Sequence, residues 1–213
     1  MSKIYTITCA KNDNVFIHAM PGHFISANNH INYHIGTSDI KHNHNVSVEA
    51  AKLLSEYYNT NGMDIDTVLC LYETQALGAY VAHQLSKPTM MIPNPDQVVY
   101  VLGSEYDSSG NLIFRDNLKR MINGKTVLVL ISCITSGRTV EKAMDSVKYY
   151  GGNVVGVASI FSAKDEINGI KVNTIFNTDD VPGYASYTAH DCPMCREGKV
   201  VDAISNGYGY SKL

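Results

Sequence analysis

Long hydrophobic runs are missing from this sequence: no stretch approaches the roughly 18 apolar residues that a membrane-spanning helix needs. Positive charge is not in excess either, with 17 lysines and arginines against 20 acidic residues and a formal net charge of −3. That balance removes the electrostatic case for binding nucleic acid or an anionic membrane. The N-terminus carries no basic–apolar–small signal pattern. The five cysteines are odd in number and lack framework spacing, which argues against a disulfide scaffold and for a reducing compartment. Together these absences predict a cytoplasmic globular protein. Its 213 residues suffice for one domain of the larger kind, with or without a small subdomain.

The most informative stretch is Lys125–Tyr150. Its unbroken apolar run Val127-Leu128-Val129-Leu130-Ile131 suits a strand buried on both faces, as in a parallel sheet. The small-residue turn Thr135-Ser136-Gly137-Arg138-Thr139 follows. Val140, Ala143, Met144 and Val147 then recur at helical spacing, and Gly151-Gly152 ends the helix. A strand, a hydroxyl- and glycine-bearing turn and a helix start, in that order, build an anion pocket, because turn N–H groups converge with the positive end of the helix dipole. The dipole contributes roughly 0.3–2 kcal/mol to one phosphate, and Thr and Ser hydroxyls add hydrogen bonds. An ordinary βα turn capped by Thr135 or Ser136 is the alternative.

Upstream, Ile4–Thr8 alternates like a short strand and Val15-Phe16-Ile17 reads as another. Six of the eight histidines, His18, His23, His30, His34, His42 and His44, crowd this N-terminal part. They read as surface histidines of a polar loop rather than a metal site, since no HxxxH pair falls on an evident helix. His30–Ile35 alternates, so a strand there would present every second side chain to a ligand. Ser47–Tyr58 is helical, with Ala50, Leu53, Leu54 and Tyr57 on one face. Ile65–Leu71 reads as a buried strand, Leu77, Tyr80, Val81 and Leu85 mark a second helix, and Thr89–Ile92 a third strand. Two βα units in series, then the central strand–turn–helix, predict an α/β doubly wound parallel sheet with flanking helices. Ligands of such sheets bind at the carboxyl ends of strands, where Tyr72-Glu73-Thr74-Gln75 and Thr135–Thr139 both fall.

Between Asn94 and Arg120 the rhythm breaks: Val98–Leu102 is strand-like, and the polar Gly103–Asn111 is either a mobile lid or a β-hairpin. Asn153–Phe161 and Val172–Phe176 read as further strands. Near the C-terminus, Cys192-Pro193-Met194-Cys195 is half a zinc site. His190 would supply a third ligand and a histidine of the N-terminal segment a fourth; a thiol pair without metal is the alternative. This CxxC opens no helix after a strand, which disfavours a redox role. Asn206–Tyr210 is turn-rich with aromatic anchors, as expected of a tail docked on the body.

With both turns in place, residues 30 to 161 resemble a type I phosphoribosyltransferase, most closely the orotate enzymes. That family's motif is an apolar run, a pair of acids, two apolar residues and a T-[ST]-G-x-[ST] turn. Val127–Leu130 fill the run and Thr135–Thr139 the turn, which by resemblance cradles the 5′-phosphate. The resemblance implies pyrophosphate binding, with Mg²⁺, by Tyr72, Glu73, Thr74 and Gln75. It implies that Tyr33, in a hood segment ahead of a helix, helps hold the base, and that residues 94–117 stand where the catalytic loop does. It also implies a homodimer. One domain is expected over 1–213, with a hood at 1–44, an α/β core at 45–180 and a C-terminal tail at 181–213. The YYGG after the helix and the CPMC tail resemble a subgroup of bacterial orotate phosphoribosyltransferase-like sequences.

Two departures bear on catalysis. The acidic pair is replaced by Ile131 and Ser132, leaving Ser132 as the only ribose-binding group there. Losing a charge-assisted bond at a reacting centre costs about 2–4 kcal/mol, a rate factor near 10² to 10³. In addition, Pro95–Asn111 contains no basic residue, and Arg115, Lys119 and Arg120 are the nearest substitutes to meet a pyrophosphate leaving group. The expected activity is phosphoribosyl transfer from phosphoribosyl diphosphate to orotate or a related pyrimidine. The competing expectations are a non-catalytic phosphoribosyl- or nucleotide-binding regulator and a zinc-stapled interaction protein.

Overall fold

The computed structural model describes residues 3–26, 29–88 and 97–213. The chain begins with an antiparallel meander, β1 (Tyr5–Cys9), β2 (Asn12–Ser26) and β3 (Asn29–Gly36), followed by a short α1 (Ser38–His42) and a long α2 (His44–Thr60). Asn43 caps α2, its side chain accepting from the Asn45 N–H. The core then runs β4 (Thr67–Cys70), α3 (Gln75–Leu85), β5 (Tyr100–Gly103), a hairpin of β6 (Glu105–Tyr106) and β7 (Leu112–Ile113), and a single turn α4 (Asp116–Lys119). The central unit is β8 (Thr126–Ile134) and α5 (Arg138–Tyr149), continued by β9 (Asn153–Ser162), β10 (Glu166–Ile167) and β11 (Ile170–Asn177). The tail adds β12 (Ser186–Tyr187), a four-residue α6 (Pro193–Arg196), β13 (Ala203–Asn206) and β14 (Gly209–Lys212). The third strand expected at Thr89–Ile92 lies outside the described residues.

The core sheet has the order β10-β11-β9-β8-β4-β5, and every pairing except β10 with β11 is parallel. β8 sits near its middle, which explains its continuous apolar run: Val127, Leu128, Val129, Leu130 and Ile131 are all essentially buried. Leu128 and Leu130 join α2 and α3 on one face, while Val127, Val129 and Ile131 join Val140, Ala143 and Val147 of α5 on the other. This is the doubly wound sheet expected from the sequence. Where the polar stretch after β5 allowed a lid or a hairpin, the chain forms the hairpin. Asp107 shapes its tip by accepting from the N–H groups of Ser109 and Asn111.

The hood and the tail are one structure. β12, β3, β2, β13 and β14 lie side by side in a second sheet, with β1 on the edge of β2. The tail's β13 runs parallel to β2, Ala203 opposite Phe24, and β12 runs antiparallel to β3, Tyr187 opposite His30. Consequently the N-terminal histidines are not loop residues. They lie on β2, β3, α1 and the start of α2, and His23, His30 and His34 are buried under the arriving tail. The surface expectation holds for His42 and His44, which are exposed, and fails for His23, His30 and His34, because the covering strands come from more than a hundred residues downstream, a pairing that local pattern does not carry.

Candidate active site

Adjacent parallel strands β4 and β8 end side by side, so the turns that follow them share the carboxyl edge of the core sheet. After β8 the chain turns at Gly137, whose φ of 88° is left-handed and free of strain only for glycine. Neither Thr135 nor Ser136 caps α5. The carbonyl of Gly137 accepts from Val140 and Glu141, while the N–H groups of residues 136–139 meet no protein acceptor among the described residues. An uncapped turn of free amides at a helix start is an anion cradle, which favours the phosphate reading over a simple capped turn.

After β4, Tyr72 and Glu73 adopt φ values of 53° and 59°, two successive non-glycine residues in the left-handed region. Such conformations cost on the order of 1 kcal/mol or more each and cluster at ligand clamps. The Tyr72 hydroxyl lies 3.3 Å from Thr139 Oγ1, tying this turn to the one after β8. Glu73 and Gln75 face solvent. Thr74 behaves differently from the sequence expectation: it is fully buried, and its hydroxyl donates to the Leu71 and Leu130 carbonyls. It pins the turn from beneath.

Ser132 points to the same edge, but its hydroxyl donates to the Gly207 carbonyl of the tail, 3.2 Å away. The same carbonyl receives the Lys41 ammonium at 3.0 Å. Ile131 lies on the opposite face of β8, packed with Leu71, Ile134 and Val140. Lys41 escaped the sequence reading, as a lone lysine in the first short helix, yet it is only 1% exposed. Burial lowers its pKa, and Glu73 and then Cys133 pull the other way. A desolvated ammonium beside two anion-suited turns is the strongest cationic feature of the site.

Tyr72, Thr135 and Gly207 line a cavity of about 60 Å³ together with Ile31, Ile35 and Tyr184, among others. Waters fit there; a sugar phosphate requires the Gly207 loop to withdraw. That loop is held by more than Gly207, because Tyr208 meets Tyr72 edge-on with ring centroids 5.3 Å apart. Tyr33, the expected base-binding residue, packs against the core and does not line the cavity. Tyr184 does line it. Its ring stands edge-on to Phe161 at 5.0 Å, its hydroxyl is buried without a partner among the described residues, and burial pushes its pKa up. The sequence held no signal for it beyond an aromatic in a turn. A larger cleft of about 450 Å³, bordered by His18, His34, Asp39 and Tyr210, lies on the hood away from both turns, so chemistry rather than size places the site.

Two of the three cationic substitutes are committed elsewhere, and Arg120 is exposed. Arg115 makes a forked pair with Glu105 across the β6–β7 hairpin, holding the carboxyl below its usual range, and Lys119 pairs with Asp116. Cys192 and Cys195 stand apart from this edge, with the side chains of His23 and His30. His190 is not with them; it is exposed and contacts Asp191. The CxxC does open a helix, α6, with Cys192 at its N-cap.

The family of phosphoribosyl transferase domains matches residues 36–178, the core sheet and both turns. The orotate phosphoribosyltransferase of Sulfurimonas denitrificans is 24% identical over 200 residues, covering 88% of this chain and 92% of that protein. The orotate phosphoribosyltransferase of Wolinella succinogenes is 27% identical over 197 residues, covering 84% and 87%. Among solved structures, an orotate phosphoribosyltransferase of Mycobacterium tuberculosis superposes with a TM-score of 0.53 at 18% identity, covering 77% of this chain and 91% of that one. At that identity the likeness is one of fold. With the motif, the paired turns and the matched span in agreement, this chain belongs to the phosphoribosyl transferase domain family.

Proposed function

We propose that this chain transfers the phosphoribosyl group of phosphoribosyl diphosphate to a pyrimidine base, orotate as in its named relatives. The bond from ribose C1′ to a base nitrogen forms as the bond from C1′ to the diphosphate oxygen breaks, and pyrophosphate leaves. The free amides of residues 136–139 carry the reading. They would hold the 5′-phosphate, with the Thr135, Ser136 and Thr139 hydroxyls beside them and Arg138 at the rim. Tyr72, Glu73 and Gln75 would meet the diphosphate, with Thr74 supporting the turn. Mg²⁺ would neutralise the phosphates. Glu73 is a carboxylate at the mouth of the site, and one carboxylate plus substrate oxygens is the way Mg²⁺ commonly binds. Lys41 would replace the missing loop cations, and Tyr184, with Tyr33 behind it, would border the base.

Substrate entry must break the contacts of Gly207 with Ser132 and Lys41. Ser132 would then offer its hydroxyl to the ribose. Without a carboxylate at positions 131 and 132, the cationic transition state is stabilised less than an acidic pair would allow, so slow turnover is expected. The whole chain, 1–213, would act as one domain with hood 1–44, core 45–180 and tail 181–213. We take it to be a cytoplasmic homodimer. Among the described residues no helix is long and apolar enough to cross a membrane.

The test is product formation with purified protein, Mg²⁺, phosphoribosyl diphosphate and a panel of bases including orotate. Nucleotide product above a no-enzyme control supports transfer. Absence of product at high enzyme concentration across all bases overturns it. If phosphoribosyl diphosphate still binds, the second reading, a non-catalytic binder, replaces it. The Ser132–Gly207 bond is the observation that favours that alternative.

A further inference from the structure

Four ligand-bearing side chains that the transferase site does not use converge under the tail. His23 Nε2, His30 Nδ1 and the Sγ atoms of Cys192 and Cys195 all lie within 4.8 Å of one another. The fold brings them together by a simple route. The CxxC segment is the loop between β12 and β13. β12 pairs with β3 at His30, and just ahead of β13 the Asp202 N–H donates to the His23 carbonyl while the His23 N–H donates to the Asp202 carboxylate. Both ends of the loop are therefore fixed beside a histidine, and the loop closes over the pair.

We propose that His23, His30, Cys192 and Cys195 hold one zinc ion in a tetrahedral site that fastens the C-terminal arm to the hood sheet. The spacing fits. Bonds of about 2.3 Å to sulfur and about 2.05 Å to nitrogen give tetrahedral S–N edges near 3.6 Å and an N–N edge near 3.3 Å. The observed edges are 3.6 Å from His23 to each thiol, 3.2 Å from Cys195 to His30, and 2.8 Å between the histidines. The last two must open by roughly 0.4–0.5 Å to admit the ion. Nδ1 of His23 lies 3.0 Å from the Lys199 carbonyl, so its N–H donates there and Nε2 keeps the lone pair facing the cluster.

The charge also balances. Two thiols release two protons to solvent on binding, and two thiolates with two neutral imidazoles make the Zn²⁺ site neutral. Three of the four ligands are buried, where a neutral site costs least. Four donors around a single point leave room for one ion, and the sulfur–imidazole set selects zinc over hard cations. The metal-free arrangement of the same groups is a hydrogen bond between the two histidines.

Metal analysis and native mass spectrometry of protein reconstituted with zinc decide between them. The expected result is about one zinc per chain, retained through gel filtration and by His190→Ala, but lost from Cys195→Ser and His30→Gln. Cobalt substitution should give the intense absorption of a tetrahedral thiolate site. Zinc removal should speed amide exchange across 186–206. Reconstituted wild-type protein that stays at its apo mass overturns the proposal, as does zinc held at the wild-type ratio by both ligand variants. Neither result depends on whether the chain transfers a phosphoribosyl group.

Discussion

Replacing Lys41 by methionine separates a functional lysine from a structural one. Among the described residues the ammonium makes one hydrogen bond, to Gly207 O, while 99% of the residue is removed from solvent. Losing that charge-assisted bond costs about 1.5–3 kcal/mol, and Gly207 O keeps Ser132 as a donor. Relief of the ammonium's desolvation offsets it, and methionine fills nearly the same volume with an adaptable chain. Stability at neutral pH should therefore change by no more than about 1 kcal/mol in either direction.

Because Lys41 has a folded pKa depressed below 10.5, the unfolded chain binds more protons between the two values. Wild-type stability then rises with pH through that window, and the rise should vanish in Lys41→Met. Phosphoribosyl diphosphate, by contrast, loses a charge-assisted contact of about 1.5–3 kcal/mol, weakening binding about 10- to 150-fold. Denaturant titration and calorimetry with Mg²⁺ present read the two effects separately. Unchanged affinity would refute the placement of Lys41 at the substrate.

Three further outcomes follow from the packing and the charges. Gly78→Ala puts a Cβ 2.2 Å from Cys70 Sγ where α3 meets β4, so it should destabilise by about 1–3 kcal/mol, and Cys70→Ala should restore most of that in the double variant, by thermal melts. His34 is buried against Phe24 and Tyr210, and burial, then Lys41, lowers its pKa to about 4. The unfolded chain then takes up the proton first, so stability is full above about 6.5 and falls as pH drops from there towards 4. Wild-type protein should lose on the order of 3 kcal/mol more over that range than His34→Gln, in urea titrations. Analytical ultracentrifugation should find a dimer, and a monomer at all concentrations would remove that part of the proposal.

What was legible in the sequence was what local pattern encodes. The all-apolar Val127–Ile131 run, the 3.6-residue period of α2, α3 and α5, and the glycine at 137 each reflect a strand, helix or turn made by neighbours in the chain. The roles that depend on distant partners were not legible. Thr74 looked like a ligand because nothing local says that its hydroxyl lies beneath Leu130. Tyr184 and Lys41 carry no motif; their importance comes from a sheet that joins residues 24 and 203. Ile131 was read as a neutral replacement facing the ribose, whereas strand alternation turns it into the α5 core. Both positions are buried, but a carboxylate at 131 would face the α5 core whereas one at 132 would face the Gly207 loop at the site, so the informative acid substitution is Ser132→Asp alone.

The central claim is that the turn between β8 and α5 holds the 5′-phosphate of phosphoribosyl diphosphate. It is tested most directly by titrating that ligand, with Mg²⁺, into wild-type protein and Gly137→Ala. An alanine at a φ of 88° is strained by about 1–2 kcal/mol, and its Cβ would press Ile167 at 3.2 Å, so the turn must relax and redirect its amides. Wild type should bind saturably at one to one, and the variant, which stays folded, should bind about tenfold or more weakly. No binding by wild type, or equal affinity in both proteins, would contradict that claim.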